Sequence, residues 1–156
     1  MDTLLNKNTV ISCLLITILS IRSAYGSDFT AECPPPCECK WFSGNKAASC
    51  ADAELRSIPD KLSSDIQNLN LSFNPLYEIV PNAFDNVGLV NLKKLFLINC
   101  RIESINKDGF KNLKIMIEID ISKNSISSLH RDTFSSNERV RVINLNDNRL
   151  EELENG

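Results

Sequence analysis

Apolar residues recur along this chain in one pattern that is repeated four times. Each copy is a line of eleven places, with apolar side chains at places one, four, six and eleven and with Asn or Cys at place nine. The four lines are IQNLNLSFNPL from Ile66, LKKLFLINCRI from Leu92, MIEIDISKNSI from Met116 and VRVINLNDNRL from Val140. The place-nine residues, Asn74, Cys100, Asn124 and Asn148, recur at nearly constant intervals of 26, 24 and 24. This regular spacing indicates a repeat architecture, in which each unit packs on its neighbours.

The alternation at places four and six predicts a short strand in each line, with these two side chains facing inward. Each strand is followed by a return segment and another strand in the same sense, so the strands must be parallel. The place-nine Asn side chain can donate to and accept from backbone groups that lack a ladder partner. Cys100 interrupts that row. We interpret it as an unpaired, buried thiol, and the alternative is an intermolecular disulfide through the odd cysteine.

The return segments are equally regular. Phenylalanines stand ten positions after place nine, at Phe84, Phe110 and Phe134, and aliphatic residues stand five positions after it, at Ile79, Ile105 and Leu129. The three aromatic rings are expected to stack as a spine on the convex side. No return carries a helical pattern of useful length, so turns and short 3₁₀ segments are expected there. The first return is longer by two positions, which predicts a local bulge around residues 87–90.

The segment 1–26 has the pattern of a secretory signal peptide. Lys7 supplies the positive charge, Val10 to Ile21 is a mostly apolar run, and Ala24-Tyr25-Gly26 places small residues before the expected cleavage site. A transmembrane anchor is the weaker alternative, because this run is too short to cross a hydrocarbon core of ~30 Å as a helix. The predicted localisation is therefore secreted, or the extracellular side of the plasma membrane.

Four cysteines, Cys33, Cys37, Cys39 and Cys50, lie close together in one short segment. Behind a signal peptide they indicate two disulfides, because the compartment is oxidising. A zinc site with four thiolate ligands is the weaker alternative.

This cysteine segment is expected to cap the open end of the repeat core. Trp41 and Phe42 are expected to cover that end. Ala47 to Ala51 is predicted to form a first short strand, and Leu55 to Leu62 reads as a half-repeat without a consensus strand.

Together these motifs resemble extracellular leucine-rich-repeat proteins that have an N-terminal cysteine cap. The segments CECKWFSGNKAASC and LVNLKKLFLINCRIESINKDGF resemble the insect Kekkon group in particular. The resemblance implies the pairing Cys33–Cys39 and Cys37–Cys50. It also implies a longer protein with further repeats, a second cysteine cap, an immunoglobulin domain, a transmembrane helix and a cytoplasmic tail. Such proteins act in cell adhesion and signalling, and one member binds and inhibits the epidermal growth factor receptor.

The expected fold class is α/β, as a right-handed leucine-rich-repeat solenoid with a parallel sheet on its concave face. The predicted organisation is a signal peptide at 1–26, a flexible lead-in at 27–32, the cap and half-repeat at 33–62, and about four repeats at 63–156. The last repeat is incomplete, so the chain is expected to be an N-terminal fragment, with membrane attachment only through a missing region.

The residue pattern argues against catalysis and cofactors. His130 is the one histidine of the chain and falls in a return segment, and no metal-binding or phosphate-binding spacing is present. The net charge of −3 gives no indication of a nucleic-acid partner. Glu118 and Asp120 share one strand face, where we expect solvated carboxylates with ordinary pKa values that serve charge complementarity.

Asn70-Leu71-Ser72 is the single N-glycosylation sequon. Asn70 falls at place five of a strand, which is a poorer acceptor context than a loop, so the alternative is an unused sequon. A glycan there would cover the cap-proximal part of the concave face.

The outward places of the strands predict the recognition surface, because repeat solenoids bind through the face that their strands build. Phe96 and Ile98 are apolar on an otherwise polar face and are the expected anchors. The alternative is that a loop, a glycan or another subunit covers them. The full predicted set is Lys94, Phe96, Ile98, Glu118, Asp120 and Asn144.

The expected function is a non-catalytic ectodomain of a cell-surface adhesion or signalling protein, which binds an extracellular protein such as a receptor or adhesion molecule. The alternative is a secreted matrix, guidance or decoy protein.

Overall fold

The computed structural model describes residues 33–154. The predicted signal peptide and lead-in, and the last two residues, lie outside that range. Ten short strands are present in the described residues. They are β1 (Glu38–Phe42), β2 (Asn45–Ser49), β3 (Asn68–Asn70), β4 (Glu78–Ile79), β5 (Lys94–Phe96), β6 (Ser104–Ile105), β7 (Glu118–Asp120), β8 (Ser128–His130), β9 (Val142–Asn144) and β10 (Glu152–Glu154).

The main sheet has six strands in the order β1-β2-β3-β5-β7-β9. All neighbours from β2 onward are parallel, as predicted, and they pair at equal places, so that Leu69 lies beside Leu95 and Leu95 beside Ile119. Register is fixed because a slip of one residue would turn these inward side chains to the solvent. The chain therefore forms a parallel-sheet β-solenoid of about four turns.

β1 and β2 form an antiparallel hairpin at the start of this sheet. The two residues of its turn, Ser43 and Gly44, both have positive φ, at 49° and 74°. Positive φ at both positions gives a twist that matches the flanking strands. The strand predicted at Ala47–Ala51 is present as Asn45–Ser49, two residues earlier at each end.

The return side holds no α-helix within residues 33–154. It contains one 3₁₀ segment, Asp85–Val87, and two small parallel pairs, β4 with β6 and β8 with β10. The sequence did not reveal these strands because each of them contains only one apolar residue, which shows no alternation. The 3₁₀ segment ends at Gly88 with φ of 76°, which accommodates the longer first return at the predicted position.

The core lies between the main sheet and the return side. The inward residues of β3, β5 and β7 are fully buried, and so are Phe84 and Phe110. The predicted aromatic spine is present: ring centroids lie 6.0 Å apart between Phe84 and Phe110 and 5.4 Å apart between Phe110 and Phe134. At these distances the stacked rings add to the burial of their own apolar area.

Two disulfides close the N-terminal end, and their pairing, Cys33–Cys39 and Cys37–Cys50, is as predicted. Small side chains complete this end of the core, with Cys37, Ala48 and Cys50 buried.

The expectation that Trp41 and Phe42 cover this end is wrong, because they are 60% and 59% exposed. The hairpin explains the difference. β1 is the edge strand beyond β2, so Trp41 extends past the rim of the core, where the Lys46 ammonium lies 5.8 Å from its ring centroid. Phe42 pairs with Asn45 and points to the outward face.

Burial falls away at the last described repeat. Ile143 occupies the same inward place as Leu69, Leu95 and Ile119 but is 40% exposed. Within the described residues β9 pairs on one side only, with β7. Each repeat is therefore sealed by the strand that follows it.

Replacing Phe110 by alanine is expected to lower the free energy of unfolding by about 3–5 kcal/mol, because the central ring of the spine is removed from a fully buried site. Urea unfolding followed by circular dichroism measures this change. Phe73→Ala is the matched control, because Phe73 is exposed, and a change within about 0.5 kcal/mol is expected there. Equal small effects of both substitutions would show that the spine is not a stabilising core.

Candidate interaction face

The outward face of the main sheet, called here the sheet face, is ordered in rows. Directly paired residues point to the same side of a sheet, and neighbouring strands lie ~4.8 Å apart. The place-three row runs Lys40, Ala47, Asn68, Lys94, Glu118, Val142. The place-five row runs Glu38, Ser49, Asn70, Phe96, Asp120, Asn144. The structure thus brings five of the six predicted recognition residues into two adjacent rows, with Ile98 following β5.

A groove of about 400 Å³ crosses the cap-proximal half of the sheet face. Its floor consists of short side chains on β2 and β3, including Ala47, Ser49 and Asn70. Its walls are taller, with Lys40 and Phe42 on β1 and Lys94 and Phe96 on β5. Sequence reasoning found the β5 wall and missed the β1 wall. The signal was present in the alternation of Lys40 and Phe42, but the hairpin that turns them to this face could not be read from the repeat pattern.

The second repeat departs from the hydrogen bonding that the other repeats share at places five and seven. In three repeats the place-five side chain accepts from the place-seven N–H: Asn70 from Ser72 at 3.0 Å, Asp120 from Ser122 at 3.0 Å and Asn144 from Asn146 at 3.1 Å. Phe96 cannot accept, and the Ile98 N–H instead donates to the Ser72 hydroxyl at 3.2 Å. Both apolar side chains are half-buried. Hydrogen bonding within the repeat therefore does not explain why Phe96 and Ile98 are apolar.

The place-nine asparagines support the turn behind each strand. Asn124 donates to the Leu97 carbonyl at 2.8 Å, and its side-chain oxygen accepts from the backbone N–H groups of Cys100 at 2.8 Å and Ile102 at 3.0 Å. Asn74 and Asn148 make the corresponding bonds to their preceding repeats. Each amide thus pairs buried backbone groups that would otherwise be costly to leave unpaired.

Cys100 keeps only part of this arrangement. Its thiol donates to the Leu71 carbonyl at 3.2 Å, the bond equivalent to that of Asn124 with Leu97. The side chain is fully buried and is the free cysteine among the described residues. Burial raises the pKa of the Cys100 thiol, although backbone hydrogen bonds from Asn74 and Phe73 act in the opposite direction. The structure thus supports a buried thiol over an intermolecular disulfide.

The two carboxylates of β7 have different partners. Glu118 bonds with the Lys94 ammonium at 2.5 Å across the place-three row. Partial burial raises the pKa of Asp120, but hydrogen bonds from Ser122 and Asn144 and the charge of Lys123 outweigh that effect and lower the pKa overall. The expectation of an ordinary pKa is therefore wrong for Asp120. Its carboxylate is held by neighbours across the sheet, which a single line of sequence does not show.

The Asn70 sequon lies on the floor of the groove. Asn70 is half-buried, and Ser72 is buried with its hydroxyl engaged by the Ile98 N–H. The side-chain oxygen of Asn70 accepts from the Ser72 N–H. Glycosylation at Asn70 stays a prediction, and a glycan there would fill the groove beside Phe96.

Other chemical groups lie away from the sheet face. His130 is on β8, and its Nδ1 accepts from the Asp132 N–H at 3.1 Å. Across residues 33–154, no three His, Cys, Asp or Glu side chains are grouped to hold a metal ion. The same residues contain no helix that is both long and apolar enough to span a bilayer.

The repeat geometry agrees with two family models. One described as "Leucine rich repeat" matches residues 90–150, and a second, "Leucine Rich Repeat", matches residues 65–87. Together the two matches span more than half of the chain. The chain belongs to the leucine-rich-repeat family.

Similar proteins have comparable repeats. Human leucine-rich repeat-containing protein 3B is 29% identical over 137 residues, which is 86% of this chain and 49% of that protein. The crystal structure of human 5T4 (Wnt-activated inhibitory factor 1, trophoblast glycoprotein) superimposes with a TM-score of 0.64 at 26% identity, over 72% of this chain and 40% of that one. The Toll–Spatzle complex from Drosophila matches with a TM-score of 0.58 at 26% identity, over 65% of this chain and 14% of the other.

The chain thus spans about half of the relative's length, or less in the two solved structures. Its fold is that of the ectodomains of leucine-rich-repeat cell-surface proteins. The narrower resemblance to the Kekkon group is not distinguished by these similarities and stays a prediction.

Cys100 is expected to resist alkylation in the folded protein, because its thiol is buried and its pKa is raised. Mass spectrometry after iodoacetamide treatment should show labelling only once urea unfolds the chain. A Cys100→Ala chain that carries Ser127→Cys is the control, since Ser127 is exposed, and it should label at once. Rapid labelling of folded Cys100 would contradict its burial.

Asp120→Asn is expected to destabilise the fold at neutral pH but not in acid. A carboxylate with a lowered folded-state pKa contributes stability above its unfolded-state pKa of about 3.9, and loses it as the pH falls through the folded-state value. Urea unfolding of both proteins between about pH 7 and pH 2 should therefore show a difference that shrinks below about pH 4. Asp147→Asn, at an exposed carboxylate, is the control. If the difference in unfolding free energy between the wild type and Asp120→Asn did not change with pH, the ionised Asp120 carboxylate would not be its cause.

Proposed function

We propose that this chain is a non-catalytic, protein-binding part of the ectodomain of a cell-surface adhesion or signalling protein. Its partner is an extracellular protein, such as a receptor or an adhesion molecule, and it binds on the sheet face. The contact residues proposed are Lys94, Phe96, Ile98, Glu118, Asp120 and Asn144. The disulfide cap supports a position outside the cell, because disulfides form in oxidising compartments.

The observation that carries this proposal is the apolar pair Phe96 and Ile98. Phe96 stands where the other repeats have a polar side chain that accepts from their own backbone, and Ile98 stands where they have serine or asparagine. The fold compensates for their presence through Ser72. Half-buried apolar side chains among polar neighbours are the usual anchors of a protein interface.

The neighbouring charges supply a polar rim. Lys94 and Glu118 neutralise one another in the place-three row, and Asp120 is held by Ser122 and Asn144 in the place-five row. Such rim groups contribute mainly to orientation and specificity, while the central apolar residues contribute most of the affinity. The Toll–Spatzle complex shows that a protein with this type of repeat binds a protein partner, which supports the kind of partner proposed here.

Phe96→Ala is expected to weaken partner binding by about 1–3 kcal/mol, because an anchor side chain is removed from the centre of the contact. The full chain, secreted with a C-terminal tag, is screened against an array of purified extracellular domains, and affinities of the hits are measured by surface plasmon resonance.

The control for this experiment is Phe73→Ala. Phe73 is an exposed phenylalanine beyond the strand rows, and alanine retains its β-carbon, so the backbone demand at φ of 65° is unchanged. Both variants must unfold at the wild-type urea midpoint. Unchanged affinity in folded Phe96→Ala would count against the sheet face as the binding site.

A further inference from the structure

We infer that the groove on the sheet face binds an extended segment of a partner protein that carries two apolar side chains with acidic residues between them. This inference rests on the proposed function and specifies the chemistry of the partner. It follows from the positions of four wall residues, Lys40 and Phe42 on β1 and Lys94 and Phe96 on β5.

Each wall of the groove carries one lysine and one phenylalanine. Lys40 and Lys94 lie in the same place-three row, separated by Ala47 and Asn68. Three strand spacings of ~4.8 Å put their backbones ~14 Å apart. An extended chain fits between them above the short floor residues.

Phe42 and Phe96 mark opposite ends of the groove. Phe42 is two residues beyond Lys40 along β1, and Phe96 is two residues beyond Lys94 along β5, which runs in the opposite direction. The two rings are therefore separated by four residues along the strands as well as by three strands across them, or ~20 Å between backbones.

This separation defines the spacing in the partner. An extended chain rises ~3.3 Å per residue and turns alternate side chains to one face, so residues i and i+6 span ~20 Å on the same side. Apolar side chains at i and i+6 would contact Phe42 and Phe96. Residues i+2 and i+4 would then face the lysines midway along the groove.

The charges of the groove select acidic residues at those inner positions. The titratable side chains that line it are Lys40 and Lys94, and no carboxylate is among the lining residues. Glu118 already pairs with Lys94. Lys40 is exposed and makes no ion pair or side-chain hydrogen bond with the described residues. Lys40 therefore gives the groove a positive charge that no other lining residue balances, and charge complementarity favours a carboxylate in the partner over an amide or an amine.

The test is a synthetic peptide array probed with the full chain, secreted from cells treated with tunicamycin so that Asn70 carries no glycan. The peptides combine apolar or polar outer residues with acidic, amide or lysine inner residues, at outer spacings of five, six and seven. Binding is expected for the apolar-acidic-apolar pattern at a spacing of six. A spacing of five or seven puts the outer side chains on opposite faces and should weaken binding at least tenfold.

The charge is tested with Lys40→Glu. This variant should lose at least tenfold in affinity for the acidic peptides and should gain affinity for those with inner lysines. Lys107→Glu, at an exposed lysine after β6, should change neither, and unfolding midpoints confirm that both variants are folded. The inference would be overturned if the array showed no preferred pattern. It would also be overturned if Lys40→Glu left the affinity for the acidic peptides unchanged. Binding of acidic peptides that does not need the apolar residues would show a simple polyanion site and would also overturn it.

Failure of this inference is distinguishable from failure of the proposed function. If the array shows no pattern but Phe96→Ala still weakens binding of a protein partner, the sheet face remains the binding site and the groove chemistry is wrong. If the array shows no pattern and Phe96→Ala leaves the affinity for the protein partner unchanged, both proposals are wrong.

Discussion

The hydrogen bonds that Asn74, Asn124 and Asn148 make with the backbone of neighbouring repeats hold the turns that follow the main-sheet strands, and Cys100 makes part of the same set in the second repeat. The turn cannot continue the sheet ladder, so its N–H and carbonyl groups would be buried without partners. One amide meets several of them at once, and it does so across the boundary between repeats. The strands keep their parallel register only if each turn begins at the same place of its repeat. The inward alternation and the stacking of the phenylalanines depend on the same condition. The position of every outward side chain, and hence the proposed interaction face, depends on this ladder.

Much of this arrangement could be predicted from the sequence, because it repeats. Leu69, Leu95 and Ile119 are recognisable as inward residues from their places alone, and the recurrence of Phe84, Phe110 and Phe134 at one offset predicts their stacking. A period reports the same local environment several times, which compensates for the weakness of any single signal. The cysteine pairing was implied by family resemblance and is the pairing in the structure.

What sequence reasoning missed lies where the repetition stops or where partners are distant along the chain. Trp41 and Phe42 belong to a hairpin whose direction is set by the turn at Ser43 and Gly44, so their exposure could not follow from the repeat pattern. The groove was missed for the same reason, since one of its walls is that hairpin. The lowered pKa of Asp120 comes partly from Asn144, 24 residues away, and only the register of the sheet brings the two together.

The placement of both disulfides at one end has a consequence for the time course of folding. The main-sheet strands of the described residues pair with their nearest neighbours, and the ladder bonds reach 22 to 29 residues along the chain. In such a one-dimensional array, folding propagates from whichever unit is ordered first. Once formed, the two disulfides lower the conformational entropy of residues 33–50 in the unfolded chain, which favours the cap as that first unit. The cap therefore favours folding that proceeds from the N-terminal end of the solenoid.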